Sequence, residues 1–588
     1  MNKMKKIKVN EELIARKASL NEKIYLSDLK EFQSDNLSVL YNTVFNKVVT
    51  GIGGTTLALK SKENIIILMP FVEVVTNKEG VVEDSFIVKS GVTITAITKY
   101  LKSVKIRKIV STYDGLEKIV KAYIKAGINI YDDFLLVDEW QVLFQQYGLR
   151  HDVIKYLFKQ SLLFKNKCFM TATPIKKDYW FKEFSNLDEL VLDYDVPNVK
   201  LKHYRALDVI DETIAIIRNS VKYHYNLHFF INSVDSIKTI VKTLDIPQEQ
   251  VRIICSKQDK NAAKLVGYKI ENTKDPVKKF NFYTSTCFEG CDLLDENGKI
   301  FVLCDGAKAH TLVDISTQLH QIAGRIRDIK DTSVNLIYKT TRYIDVTEEE
   351  FNRSINENIR IGNEIVDGVV NEEAMKALDL NYINSKYITL EDNKLHFEEV
   401  FLNADKANFE ISKTYSCKAN ISAKLIQNFE VVEVKKEWED EVIKYQEEKV
   451  DKLSFREQCL MYAGLLETKF SFMPEFNQDV IKAVDKLGIE RLEELNFHKG
   501  HIKEQLIKML DISDEQKIFK AVKLNKFDFY KASDLKTKFQ LVYDNLDIKK
   551  TAKGSDIKNY YDVKEVSKRI NGELFKGYQI LSEKIIIN

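Results

Sequence analysis

The stretch VVTGIGGTTLAL, Val48 to Leu59, runs from β-branched residues through three glycines into a helix-forming tail. That is the order of a phosphate-binding turn, in which backbone amides at the start of a helix cradle an anion. Such a turn places a lysine just ahead of a Ser or Thr. Here Gly54 stands in the lysine's place and Thr55 follows it. Glycine-rich turns between strands and helices are common, so the surrounding chain has to separate a working site from a dead one or a chance run.

From about Asn46 to Lys339 short apolar runs alternate with amphipathic stretches. The runs are NKVVT, NIIILMP, RKIVST, FLLVD, KCFMTA and LVLDY, then LHFFIN, VRIICS, FNFYTS, KIFVLC and VNLIYK. Each is β-branched or aromatic and apolar on both faces, as strands of a buried parallel sheet are. DGLEKIVKAYIKAG and SVDSIKTIVKTL between them carry helical spacing. The alternation predicts an α/β fold with parallel sheets. A break near VPNVK, Val196 to Lys200, splits the runs into two sheets of similar length.

Bulk properties set bounds. A chain of 588 residues is too long for one core. A net charge of +2 advertises no global affinity for nucleic acid, so any such surface is a local patch. The seven cysteines form no CxxC pair, and CFEGC (Cys287, Cys291) lacks partners for a metal, so reduced buried thiols in a cytoplasmic protein are expected. The N-terminus has no apolar core of a signal peptide, and no run is long enough to span a bilayer.

A second motif is FLLVDEWQ, Phe134 to Gln141, a strand ending in two carboxylates at the sheet edge where α/β proteins bind ligands. A third is CFMTATP, Cys168 to Pro174. In this order TGIGGTT, VDEWQ and MTATP resemble the first motor domain of superfamily 2 helicases, and the second sheet resembles their second domain through TSTCFEGCD (Thr284–Asp292) and QIAGRIR (Gln321–Arg327).

The resemblance implies two tandem RecA-like domains and a cleft for ATP and Mg²⁺. It assigns Gly51, Gly53, Gly54, Thr55, Thr56 and Asp292 to the nucleotide, with Asp292 on the ribose, and Asp138 with Thr55 to the metal. Glu139 would orient and deprotonate the attacking water, with Gln321, Arg325 and Arg327 around the γ-phosphate. Thr171 and Thr173 would couple the nucleotide to the lobes, and Pro70, Thr112 and Thr284 would touch the nucleic-acid backbone.

Two departures stand out. Gly54 removes a cation worth on the order of 1.5–3 kcal/mol to phosphate binding. Arg325 and Arg327 lie two apart, a spacing similar to that of some viral and restriction-type relatives. The nearest cations are Lys47, expected to precede its strand and point away from the loop, and Lys60, over a turn into the helix. Neither is expected to replace the lysine. The motif forms are most similar to origin-binding and replication helicases of large viruses, phages and mobile elements.

The rest divides into an N-terminal extension (1–45), motor domains 46–198 and 199–345, a helical connector or accessory region (346–452), and a mainly helical region (453–588). Within the last, DIKNYYDVKEV reads as a helix and SKRINGELFKGYQILSEKIII as a hairpin about Asn571-Gly572. With Lys549, Lys550, Lys553, Lys558, Lys568 and Arg569 nearby, this is either a winged-helix-like module or a solvated lysine-rich tail. His498 and His501 in FHKGH are two ligands at most and are expected to be plain polar residues.

The function expected is an ATP-dependent helicase or translocase on single-stranded or partly duplex DNA, with RNA the lesser candidate, in phage or mobile-element replication or recombination. Replication-protein partners would bind through the C-terminal region. The alternative is an inactive or nucleotide-sensing helicase fold that binds DNA or serves as a scaffold.

Overall fold

The computed structural model describes residues 3–20, 22–82, 84–194, 198–221, 223–341, 346–368, 387–391, 394–468, 474–510, 512–570 and 573–584. Val196 and Pro197 of the expected break, and the Asn571-Gly572 turn, lie outside them.

The alternation builds two parallel sheets. The first holds β1 (Met4–Lys8), β2 (Thr43–Asn46), β3 (Ile65–Met69), β4 (Ser85–Val88), β5 (Lys108–Thr112), β6 (Phe134–Asp138), β7 (Asn166–Thr171) and β8 (Asp188–Asp193). Their order is β1-β8-β2-β7-β6-β3-β5-β4. Every residue of β3 and β6 is buried, as strands covered by helices on both faces require.

The second sheet holds β9 (Lys200–Arg205), β10 (Asn226–Phe230), β11 (Val251–Ile254) and β12 (Phe280–Tyr283). A small separate pair follows, β13 (Leu293–Leu294), with β14 (Gly298–Asp305) of the main sheet lying between it and its partner β15 (Ile326–Arg327) in sequence. The sheet continues with β16 (Val334–Lys339). After a hairpin of β17 (Ile388–Glu391) and β18 (Lys394–Phe397) comes β19 (Glu430–Val431), giving the order β11-β12-β10-β14-β16-β9-β19. The chain therefore carries tandem RecA-like α/β lobes. One hydrophobic cluster runs through both, from Leu57, Met69 and Val74 to Phe230, Phe288 and Leu319.

The start of the first lobe differs from the expectation. NKVVT is not the strand: β2 ends at Asn46, and Val48 to Thr50 form a turn. The Asn46 side chain accepts the Val48 N–H at 2.9 Å, and Val48 sits at φ 59°, a left-handed backbone that is rare for a β-branched residue. The chain thus leaves the sheet four residues earlier than the three β-branched side chains suggest.

The segment after the second sheet ties the lobes. Glu398 meets Tyr147 and Lys155, and Glu410 meets Tyr179 and Lys176, all on the first lobe. Further on, the Tyr415 hydroxyl donates to Val313 O, Phe429 stacks on His320, and β19 pairs with β9 on the second.

Residues 440–588 form a second compact unit. Its helices include Phe455–Thr468, Gln478–Glu494, Lys499–Lys508, Asp514–Val522 and Ala532–Asn545. His498 caps one of them, its Nδ1 accepting the His501 N–H at 3.4 Å. A small antiparallel sheet has the order β20-β22-β21, from β20 (Phe529–Lys531), β21 (Tyr561–Ile570) and β22 (Glu573–Glu583). The helix expected over DIKNYYDVKEV is corrected: only a short 3₁₀ turn, Gly554–Asn559, precedes a strand. Tyr561 is buried in the cluster with Phe519 and Ile580 while the residues after it are exposed or half-buried, and pairing with β22 over the whole strand outweighs local helical spacing.

Candidate nucleotide site between the two sheets

A cleft of about 330 Å³ opens at the loop Gly51–Thr56. Lys23, Tyr25, Lys47, Asp138 and Glu139 line it from the first lobe, and Gly290, Asp292, Arg325 and Arg327 from the second. Gly51 and Gly53 sit at φ 75° and 81°, where glycine alone is unstrained. Thr56 and Gly54 lie on the same wall, on the first turn of the helix Gly54–Lys60.

The carboxylates come from the end of β6. Thr55 Oγ1 donates to Asp138 Oδ2 at 2.7 Å. Glu139 holds a left-handed backbone at φ 54°, fixed in part by the Tyr113 hydroxyl, which donates to the carbonyls of Asp138 (2.8 Å) and Glu139 (3.0 Å). Its Oε2 accepts from Gln141 Nε2 at 3.0 Å and, across the cleft, from Gln321 Nε2 at 2.9 Å. Gln321 Nε2 also reaches Thr173 Oγ1 at 2.9 Å, and Thr171 Oγ1 accepts the Thr173 N–H at 3.0 Å. Thr171, Thr173, Glu139 and Gln321 are thereby one network spanning both lobes.

The expectation for Lys47 is overturned. Its ammonium lies 3.2 Å from Asp138 Oδ1 and 3.4 Å from Glu139 Oε1, and the residue is 5% exposed. Because β2 ends at Asn46, Lys47 follows the strand and shares the parity of Thr43 and Phe45. Phe45 is in register with Met170, whose side chain ends against Gly54, so that face points toward the loop. Lys60 is exposed and does not line the cleft.

From the second lobe, Arg325 is buried and its guanidinium donates to Gln321 O (2.7 Å), Gln321 Oε1 (3.0 Å) and Cys291 O (3.2 Å), so it orients Gln321. Arg327 is paired with Asp292 at 2.8 Å and lies over Gly51, where a Cβ would stand 2.3 Å from its Nη1. Asp292 also meets Lys78 at 3.3 Å. Burial raises the Asp292 carboxyl, but Lys78, Arg327 and Arg325 outweigh it and leave it well below the usual carboxylate range.

Pro70 and Thr112 stand at the ends of adjacent strands, since Met69 pairs with Thr112. Pro70 O accepts from Arg150 Nη1 at 2.9 Å. Thr284 follows β12 on the other sheet, its hydroxyl 3.3 Å from that of Thr286. Thr112 is 8% and Thr284 6% exposed. In the C-terminal unit Lys558 pairs with Glu565 and Lys550 faces Asp556, so part of the lysine cluster is already neutralised.

Sequence reasoning passed over Lys23, Tyr25, Lys78, Tyr113 and Glu289. Tyr113 was legible in STYD, next to Thr112; the others carry no motif. Burial and the charge of Glu139 push the Glu289 carboxyl up to about 8, against the pull of Arg325 and the amides of Gln318 and Gln145. Its folded value is raised, so its favourable contribution is complete below about pH 4.5 and is lost as pH climbs through about 8. Glu289→Gln should therefore melt higher than the natural chain, with a gap that widens from pH 5 to pH 8.5 by a few kcal/mol, at ~1.4 kcal/mol per unit. Parallel melting curves over that range would refute this.

No protein-family model and no curated protein matches the chain. Solved structures do. The DEAD-box helicase Mss116 bound to ssRNA and UDP-BeF is 12% identical, with 86% of this chain and 92% of that chain covered and a TM-score of 0.41. S. cerevisiae Dbp5 bound to RNA and ADP BeF3 is 14% identical, covering 58% and 89%, with a TM-score of 0.38. Mycobacterium smegmatis helicase Lhr bound to ssDNA and AMP-PNP is 11% identical, covering 66% and 54%, with a TM-score of 0.36. The likeness to these helicases is one of fold, and the chemistry rests on the cleft.

Proposed function

We propose that this chain is a nucleic-acid-dependent ATPase of the superfamily 2 helicase kind, acting on DNA. The observation that carries the reading is the bridge Thr173–Gln321–Glu139, which joins the two lobes beside the Thr55–Asp138 pair. ATP would enter between the loop and Arg325 and Arg327, and Glu139 would take the proton of the attacking water while Gln141 and Gln321 hold its carboxylate in place and Arg325 orients Gln321. Asp138 and Thr55 offer hard oxygens that would hold a Mg²⁺ ion, which would supply positive charge against the phosphates of the nucleotide. Asp292 would trade Arg327 and Lys78 for the ribose.

A strand would cross the ends of β3, β5 and β12 near Pro70, Thr112 and Thr284, held mostly by phosphates. DNA is favoured over RNA by the GRIR form and by the basic residues around the C-terminal sheet, Lys549, Lys553, Lys568 and Arg569, and the setting is cytoplasmic replication or recombination of a phage or mobile element. One observation favours a second reading, a DNA-binding scaffold: the lobes share a hydrophobic cluster, and Asp292 is already paired.

Steady-state ATP hydrolysis, with and without single-stranded DNA or RNA, separates them. Turnover raised at least several-fold by DNA supports the motor. DNA binding indifferent to ATP, without turnover, supports the scaffold.

A further inference from the structure

We propose that Lys47 supplies the cation the loop lacks at Gly54, facing the β- and γ-phosphates of the bound nucleotide. This rests on the ATPase reading above and names the residue that lets the site manage without a loop lysine.

Position comes first. Asn46 pairs with Thr171, and the Lys47 N–H donates to Thr171 O at 2.8 Å, so Lys47 is held at the very end of β2. The chain then turns sharply: the Val49 N–H reaches Lys47 O at 2.6 Å, with Val48 at φ 59°. A β-branched residue held there is strained, and such strain gathers at functional sites. The turn leaves the Lys47 side chain in the cleft while the main chain swings away to form the glycine loop.

Chemistry comes second. Asp138 is straddled: Thr55 Oγ1 touches one carboxylate oxygen at 2.7 Å and Lys47 Nζ the other at 3.2 Å. The ammonium is thus one carboxylate away from the hydroxyl at the phosphate-binding turn, and it also borders Glu139 at 3.4 Å. A buried ammonium needs partners. Here they are the two carboxylates; on nucleotide entry phosphate oxygens take their place, as a point-charge lysine allows.

Third, the ordinary position is occupied by the end of the Met170 side chain, which a residue larger than glycine would have to push aside. A Cβ on residue 54 would stand 2.7 Å from Met170 Sδ and 2.9 Å from its Cε. Met170 fills the space where a loop lysine would begin, and Lys47 reaches the same carboxylates from the neighbouring strand. The other cations are placed elsewhere. Lys78 is paired with Asp292 of the second lobe, and Lys23 is exposed at the cleft mouth.

The test is equilibrium binding of fluorescent ATP and AMP analogues to the full chain, together with ATP hydrolysis. Variants are Lys47→Met, Lys47→Arg, and a relocated cation, Lys47→Met with Gly54→Lys and Met170→Ala; Lys60→Met is the control. Lys47→Met should weaken the ATP analogue about 10- to 100-fold. AMP binding should be unchanged, because AMP lacks the phosphates Lys47 faces, and hydrolysis should fall further still. Lys47→Arg and the relocated cation should each restore part of the ATP affinity, and they carry the test if Lys47→Met fails to fold.

Equal loss for ATP and AMP, or none, would make Lys47 a counter-ion for the carboxylates and overturn the inference. If the natural chain hydrolyses ATP and Glu139→Gln stops it while Lys47→Met binds ATP normally, the inference fails and the ATPase reading stands. If the natural chain neither binds nor hydrolyses ATP, both fall.

Discussion

Glu139→Gln should stop ATP turnover, by about 10²- to 10⁴-fold, the usual worth of a positioned general base, and leave nucleotide affinity within a few-fold of the natural chain. The amide is isosteric, so β6 and the left-handed backbone at φ 54° are kept. What is lost is the acceptor for a proton. Its Oε2 now receives both Gln141 and Gln321, so the change also replaces an ionic acceptor by a neutral one at the interlobe bridge. A quench-flow and binding pair reads the two effects separately. Retained turnover would place the base elsewhere and remove the main support for the reaction proposed.

Trp140→Ala should lower the stability of the first lobe by about 3–5 kcal/mol, as large buried aromatics do when truncated. The indole is fully buried, with Trp180 and Phe184 edge-on at ring distances of 5.6 and 4.9 Å and Phe181 at 6.5 Å. It follows Asp138 and Glu139 directly, so the cavity opens behind the two carboxylates. Urea unfolding followed by circular dichroism should show the midpoint of the first lobe moving down, with nucleotide affinity falling alongside. A curve that overlays the natural one would mean the aromatic cluster does not support the site.

FLLVD was legible as β6 because a strand buried on both faces has to be apolar throughout, and its acidic end fixes where the sheet edge lies. The same holds for NIIILMP and β3. β1, β4, β9 and β19 were missed. They lie at or next to sheet edges, and KKIK, KLKHYR and the two-residue β19 do not present a continuous apolar run.

The loop region misled for a sharper reason. Val48, Val49 and Thr50 have high strand propensity, yet Asn46 and the left-handed Val48 end the strand before them. A shift of four residues moved Lys47 from the start of a strand to its end, and with it from the wrong side of the loop to the carboxylates. Tertiary pairing decided this, and propensity could not. The bridge through Gln321 was readable only by resemblance, since residues 139 and 321 meet through the packing of two separate sheets.

The tie between residues 398 and 431 has a bearing on how the cleft opens. It grips the first lobe through Glu398 and Glu410 and the second through Tyr415, Phe429 and the short β19. Two lobes joined only by a linker can gape freely; these must stretch or unzip the tie each time they part. Any opening of the cleft would therefore have to break contacts at a sheet edge, remote from the two carboxylates.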